Sequence, residues 1–452
     1  MTKKKEEDIV CYSCGKKLND SPDATFVQLK EDGDVYVCSE CITDTYDKLM
    51  TAIHDSNTDE EDVDDFNDED MLEDDADEEP EKELPTPEEI CAHLDKYIIG
   101  QEEAKKIISV AAYNHYKMLL YEKTHSEDMN VEIKKSNAIM VGSTGSGKTE
   151  IIRALSKFLN VPLAIADCSS LSKSGYVGAD PVSVLSDLLY RAGNNIEAAE
   201  TGIVYLDEFD KLAKRKDDNT AKDVTGEGVQ QELLKIIEGS EVEVPISGGR
   251  RMNAEMVRLD TSKILFICGG AFDGIENVIR KRIRSKDNHP AMGFGATSSK
   301  SDVRNKEYND LIIRVTTEDL REFGIIPEML GRLPIICPLK QLSTDQLVEI
   351  LTKPKNAIIK QYKEMLKMDS AHLVFRKSAL LAIAKEAENR KTGARGLRAI
   401  VEKLLTDTMY QVPSMTEPVE IVFTEKCVTD HKKPTIKPLV ANEKKGNKLY
   451  AE

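Results

Sequence analysis

A chain of 452 residues, 40% apolar and 32% charged, can bury several cores, and a guide of roughly 150 residues per domain suggests about three. No apolar run is long enough to span a membrane, so no membrane partner is expected. A formal net charge of −19, with no concentrated basic stripe, argues against nucleic acid as the main partner.

Met1 to Asp8 is polar and no apolar segment follows it, so neither a secretory signal nor an Arg-rich presequence is expected and the chain reads as cytoplasmic. Four of the nine cysteines then form Cys11-x2-Cys14 and Cys38-x2-Cys41, separated by 23 residues, which is close to the spacing of four-thiolate zinc ribbons. Each pair places two sulfurs on one side of a tight knuckle, and Gly15 supplies backbone freedom after Cys14. Two disulfides are the alternative. The other five cysteines, Cys91, Cys168, Cys268, Cys337 and Cys427, are scattered as in a reduced chain, which favours Zn²⁺. A closed four-sulfur site leaves no open position for chemistry, so this zinc would be structural and would supply much of a small module's folding free energy.

From Asp55 to Glu83 there are 18 acidic residues against one lysine, a local charge of −17 that leaves only −2 for the rest. With only scattered apolar residues such as Val63, Phe66 and Leu72, this stretch is expected to be a disordered tether. After Pro85-Thr86-Pro87 the pattern changes to helices alternating with short apolar strands: a helix over Glu102 to Tyr121, and strands at Ala138 to Val141, Pro162 to Ala166, Ile203 to Leu206 and Ile264 to Cys268. Such alternation predicts an α/β fold with a parallel sheet covered on both faces.

The run Gly142-Ser143-Thr144-Gly145-Ser146-Gly147-Lys148-Thr149 fits Gly-x4-Gly-Lys-Ser/Thr and lies between a strand pattern and the helical pattern from Ile151 to Leu155. In that setting the backbone N–H groups cradle phosphates at a helix N-terminus, Lys148 reaches the β- and γ-phosphates of ATP, and the Thr149 hydroxyl holds Mg²⁺. The strand Ile203-Val204-Tyr205-Leu206 ends in Asp207-Glu208 and is expected to be the neighbouring parallel strand, its carboxyl end facing the phosphates. Asp207 would help hold Mg²⁺ and Glu208 would orient the attacking water. From Ser343 the character changes: Ser343-x-x-Gln346 is a capping box, helical patterns run through Leu380 to Ala387 and Leu397 to Met409, and Pro418 to Phe423 reads as a strand. A second, mainly helical domain is expected after a hinge near Leu339 to Leu342.

Together these motifs resemble the ClpX family of AAA+ unfoldases, the ATP-driven partners of ClpP-type peptidases, over nearly the whole chain. The resemblance implies a zinc ribbon-like module at 1–54, an acidic linker at 55–85, a large AAA+ P-loop parallel-sheet domain at 86–340 and a smaller C-terminal AAA+ domain at 341–452. Within Tyr97-Ile98-Ile99-Gly100-Gln101, a segment similar to the family's adenine-binding stretch, Ile98 and Ile99 would contact the base. Gly175-Tyr176-Val177-Gly178 resembles the pore loop that grips substrate, and Asp223 to Gly228 a second pore loop. Taken alone, a tyrosine between small residues reads as part of a turn.

Gly331-Arg332-Leu333-Pro334 resembles the arginine-finger motif, which implies that Arg332 reaches the nucleotide of the next subunit. Gly393 to Arg398 resembles the second sensor, with Arg395 reporting nucleotide from the small domain. A guanidinium supplied in trans ties hydrolysis to assembly, so the resemblance implies a homohexamer. Met292-Gly293-Phe294 stands where the family carries its peptidase-docking tripeptide, with Met in place of the usual Ile or Leu, and Gly248 to Met252 stands where the family typically reads Arg-Lys-His. The function implied is unfolding of tagged or unfolded proteins, with or without adaptors, and delivery to a ClpP-type peptidase. A peptidase-independent remodelling chaperone and a nucleic-acid motor are the alternatives.

Overall fold

A computed structural model of the chain describes residues 11, 14, 26–28, 36–39, 41, 84–124, 133–172, 179–213, 226–246, 256–286, 300–390 and 392–439. The acidic stretch 55–83, residues 175–178, 223–225, 248–252 and 292–294 lie outside them. The chain divides into two compact units, Met1–Glu81 and Lys82–Glu452.

In the first unit β1 (Phe26–Gln28) and β2 (Tyr36–Cys38) pair antiparallel, with Phe26 opposite Cys38. The second unit opens with α1 (Pro87–Asp95), whose start is fixed by a reciprocal cap: the Thr86 hydroxyl accepts from the Glu89 N–H while the Glu89 carboxylate accepts from the Thr86 N–H. Pro87 at the first helical position loses no hydrogen bond there. Helix α2 (Glu102–Thr124) follows and runs three residues beyond the expected end at Tyr121.

Five parallel strands form the central sheet: β3 (Ala138–Val141), β4 (Leu163–Asp167), β5 (Ile203–Asp207), β8 (Leu265–Gly270) and β9 (Ile335–Pro338), in the order β4-β5-β8-β3-β9. This corrects one expectation. The strand carrying Asp207 is not adjacent to the strand that feeds the glycine-rich loop, because β8 lies between them and pairs with both. Strand β9, with its Ile-Ile-Cys-Pro run, is an addition to the expected set.

Alternation explains why the strands read as continuous apolar runs. Ile139, Val141, Val204, Leu206, Phe266 and Cys268 enter one buried cluster, while Ala138, Met140, Ile203, Tyr205, Leu265 and Ile267 enter the cluster on the opposite face. The first cluster is roofed by α4 (Ser183–Arg191), α6 (Glu227–Glu238) and part of α7 (Ile275–Lys286), with the short α5 (Ile196–Glu200) contributing Ala199. The second is roofed by α1, α2 and α3 (Lys148–Leu159). Each fully buried aliphatic side chain contributes about 1.5–3 kcal/mol, so the sheet is a stiff platform for the loops at its carboxyl edge. A hairpin of β6 (Glu241–Pro245) and β7 (Met256–Asp260) stands apart from the sheet.

Helices α8 (Lys300–Ile312), α9 (Thr317–Phe323) and α10 (Pro327–Arg332) lead into β9. A separate buried cluster then spans residues 342–427. Its helices are α11 (Thr344–Thr352), α12 (Ile358–Met368), α13 (Lys377–Asn389), α14 (Gly393–Gln411) and α15 (Glu425–Thr429). The expected cap is present, with the Ser343 hydroxyl accepting from the Gln346 N–H at 3.2 Å. Three strands accompany the helices: β11 (Val419–Phe423) pairs parallel with β10 (Ala371–Phe375) and antiparallel with β12 (Thr435–Pro438). Of these only β11 is legible in the sequence.

Candidate functional site

The glycine-rich loop leaves β3 at the carboxyl edge of the sheet and enters α3. Gly145 and Gly147 have φ of +76° and +101°, a region that favours glycine, and no side chain caps the start of α3. The N-terminal N–H groups and the helix dipole are therefore directed at whatever anion occupies the loop.

Lys148, 8% exposed, donates from Nζ to the Gly142 and Ser143 carbonyls at 2.6 and 3.1 Å. Burial pushes its ammonium down to about 8, against the Asp207 and Asp210 carboxylates that hold it up. The Thr149 hydroxyl donates to Asp207 Oδ2 at 3.0 Å, bridging across the intervening strand. Asp207 Oδ1 accepts from the Tyr205 hydroxyl at 3.2 Å and from the Glu208 N–H at 3.0 Å. Three donors thus fix this carboxylate, and Thr149 with Asp207 could share a divalent cation of the hard, oxygen-ligated kind. Glu208 follows in a left-handed conformation, φ +53°, rare for a residue with a side chain and common where a functional group must be aimed.

These groups line one cleft of about 510 Å³, together with Glu150, Arg153, Asp210, Lys211, Asp273 and Arg395. It gathers Lys148, Arg153, Lys211 and Arg395 together with Glu150, Asp207, Glu208, Asp210 and Asp273, a mixture of charges that suits a metal-bound polyphosphate. Arg395 comes from α14, and its neighbour Ala394 donates its N–H to the Gly145 carbonyl at 3.3 Å, so the C-terminal cluster reaches the loop directly.

The remaining sequence-derived residues sit elsewhere. Ile98 is buried in the α1–α3 cluster, Ile99 is half-buried, and neither lines the cleft. Arg332 is exposed at the end of α10, also outside the cleft, and is ion-paired with Glu238 at 3.0 Å. Residues 175–178 and 292–294 fall outside the described residues.

Sequence reasoning gives no role to Gln101, Arg153, Asp210 or Asp273. Gln101 has φ +64° and is 5% exposed; its Nε2 donates to the Ser146 and Lys340 carbonyls at 3.1 and 2.7 Å, and its Oε1 accepts from the Lys340 N–H at 2.9 Å. It clasps the loop to the segment after β9. Asp210 and Asp273 lie just past the carboxyl ends of β5 and β8, where the rule for open parallel sheets could have found them.

In the first unit the Sγ atoms of Cys11, Cys14, Cys38 and Cys41 all lie within 4.8 Å of one another, and no two of the cysteines are bonded. Cys14 and Cys38 are 3.7 Å apart at sulfur, close to the roughly 3.8 Å that a tetrahedral site with Zn–S bonds of about 2.3 Å requires. Cys11 and Cys38 are buried, and the Cys38 N–H points to Cys11 Sγ at 3.3 Å, a contact that favours thiolate. The four residues fit Zn²⁺.

The family description AAA domain (Cdc48 subfamily) matches residues 133–336, and the C-terminal, D2-small domain of ClpB protein matches residues 342–421. The chain is 46% identical over 371 residues to the ATP-dependent Clp protease ATP-binding subunit ClpX of Borrelia duttonii (strain Ly), covering 82% of this chain and 83% of that protein. The chain belongs to the ClpX family. The ClpX of Treponema denticola is similar at 45% identity over 359 residues, 79% of this chain and 84% of the relative. As a ClpX-family member the chain is an AAA+ ATPase, and most of the cleft just described lies within the segment matched as its AAA domain. Among the described residues no helix is long and apolar enough to cross a membrane.

Proposed function

We propose that the chain is an ATP-dependent protein unfoldase and translocase that works as a homohexamer in the cytoplasm and delivers substrates to a ClpP-type peptidase. The observation that carries this reading is the division of arginines: Arg395 lines the cleft of its own chain, whereas Arg332 stands outside it. The cleft holds Arg153 beside Arg395, and the arginine of the finger-like motif, which lies outside it, is read as completing a neighbour's site, which makes hydrolysis depend on the ring. The relatives' description as subunits of an ATP-dependent Clp protease supports the peptidase partner.

In this mechanism the N–H groups of residues 142–149 and Lys148 hold the triphosphate of ATP. Thr149 and Asp207 would hold Mg²⁺, which would supply charge neutralisation for the triphosphate. Glu208, aimed by its left-handed backbone, orients the attacking water and accepts its proton. Arg395 from the chain's own C-terminal cluster and Arg332 from the adjacent chain stabilise the charge on the transferred phosphoryl group. The Ala394–Gly145 contact gives hydrolysis a route into movement of the C-terminal cluster. Repeated cycles pull a polypeptide gripped at Tyr176 through the ring, working against a fold of about 5–15 kcal/mol. Met292-Gly293-Phe294 docks the peptidase, and the zinc-bearing module collects substrates and adaptors.

The test is fluorescence of a stable fluorescent protein bearing an unstructured C-terminal tag, mixed with the chain, ATP and a ClpP-type peptidase. Signal loss that requires both ATP and peptidase, and vanishes with Glu208→Gln, supports the proposal. Signal loss with ATP alone points to a remodelling chaperone. An ATPase rate stimulated by DNA and falling steeply with salt overturns the proposal in favour of a nucleic-acid motor.

A further inference from the structure

Arg332 is held at two points. Its carbonyl accepts from Asn137 Nδ2 at 3.1 Å, and Asn137, buried just before β3, also accepts from the Phe266 N–H at 3.1 Å. Its guanidinium donates from Nε to Glu238 Oε1 at 3.0 Å, and one terminal nitrogen is ion-paired with the same oxygen at 3.0 Å. That leaves the other terminal nitrogen without a protein partner among the described residues.

Glu238 is the last residue of α6, and α6 is itself pinned. Gln230, 0% exposed in the first half of the helix, donates from Nε2 to the Leu212 carbonyl at 2.6 Å and accepts at Oε1 from the Ile326 N–H at 2.9 Å. Leu212 ends the short 3-10 turn that follows Asp207-Glu208, and Ile326 is the residue that caps α10. One helix therefore joins three places: the turn behind the catalytic carboxylates, the start of the arginine-bearing helix and the guanidinium at its end.

The Arg332–Glu238 pair is nearly half exposed on both sides, and such pairs contribute on the order of 0–1 kcal/mol to stability. Its effect on folding is small. Its effect on orientation is not, because an arginine side chain with several free torsions must be offered to a phosphate within a narrow geometry.

Resting on the reading of Arg332 as a finger supplied in trans, we propose that Glu238 is the positioning residue for it. The carboxylate holds the guanidinium by one edge and leaves the opposite end to meet the nucleotide of the adjacent subunit. Helix α6 makes that orientation follow the chain's own Asp207–Leu212 turn, so the state of one site is passed to the next.

The experiment uses mixed rings of full-length chains. A chain carrying Arg332→Ala keeps its own cleft but lends no finger, and a chain carrying Glu208→Gln hydrolyses nothing but lends one. Mixing them is expected to restore ATP hydrolysis above that of either alone. Adding Glu238→Ala, or in parallel Glu238→Gln, to the Glu208→Gln chain is expected to lower the restored kcat by about tenfold, with KM for ATP, thermal midpoint and ring assembly unchanged. Equal restoration with and without both Glu238 substitutions overturns the proposal and leaves the finger reading standing. No restoration even with Glu238 intact overturns the finger reading and the proposal together. A fall in ring assembly that accounts for the lost rate also overturns it, since Glu238 would then be structural.

Discussion

The cysteine cluster and the phosphate cleft each hold like charges close together, by opposite means. In the cluster, four sulfurs lie within 4.8 Å of one another on a framework whose described strands have three residues each. So short a framework fits a bound cation that would offset the repulsion between four thiolates. In the cleft, Asp207, Glu208, Asp210 and Asp273 sit at the edge of a five-stranded sheet clad by two buried clusters, and Lys148, Arg153, Lys211 and Arg395 line the same space. There the protein itself supplies the countercharge and the rigidity. With zinc in the cluster, one site would be made by its ligand, whereas the other is made for its ligand.

The sharpest way to break this contrast is Glu208→Gln, which removes a proton acceptor while leaving the cleft's shape. Turnover is expected to fall by about 10²- to 10⁴-fold in a steady-state ATPase assay, with nucleotide affinity retained. A parallel collapse of affinity would show that the cleft is not preorganised. Next in size is Lys148→Ala. Removing the buried ammonium should weaken ATP binding by on the order of 10²-fold, measured by titration of a fluorescent nucleotide, because a charge-assisted contact is lost and the cleft's carboxylates lose their counterion.

A smaller effect follows from the depressed Lys148 pKa. ATP binding favours the charged ammonium, so above pH 8 binding must take up a proton, and affinity should weaken by about tenfold per pH unit. Calorimetry in buffers of different ionisation enthalpy reads that uptake directly. Stability has the opposite sign: between pH 8 and 10.5 the unfolded chain binds the proton and the folded chain does not, so the fold gains stability as pH rises through this window. The smallest expected effect on the ATPase is that of metal removal. A zinc-selective chelator, used with Mg²⁺ kept in excess, should unfold the cysteine-bearing module, seen by hydrogen exchange, and leave the basal ATPase rate and main melting transition in place. A shift of both would show that the two units share more than a chain.

Much of the cleft was legible because its signals are local. A loop of fixed spacing between strand and helix, and a strand ending in two carboxylates, follow from residue type and period alone, and so do the paired Cys-x2-Cys knuckles. Ser343 and Gln346 likewise announce a helix start, because a cap is made by residues three apart. Strands such as β9, β10 and β12 are not legible in this way, because runs of only four or five residues, apolar as in Ile335–Pro338 or mixed as in Thr435–Pro438, become strands only when a partner supplies the ladder.

Sequence alone therefore determined which residues could bind phosphate, a divalent cation and zinc, since those chemistries depend on donor type and short spacing. Only the tertiary structure decided that β8 separates β3 from β5 while Thr149 still reaches Asp207, that Gln101 reaches Lys340 across 239 positions of sequence while also holding Ser146, and that Arg332 pairs with Glu238 outside its own cleft. Strand order, clasp and ion pair all join residues far apart along the chain. Which distant groups meet is set by how the buried faces of the sheet are covered, and no local pattern carries that information.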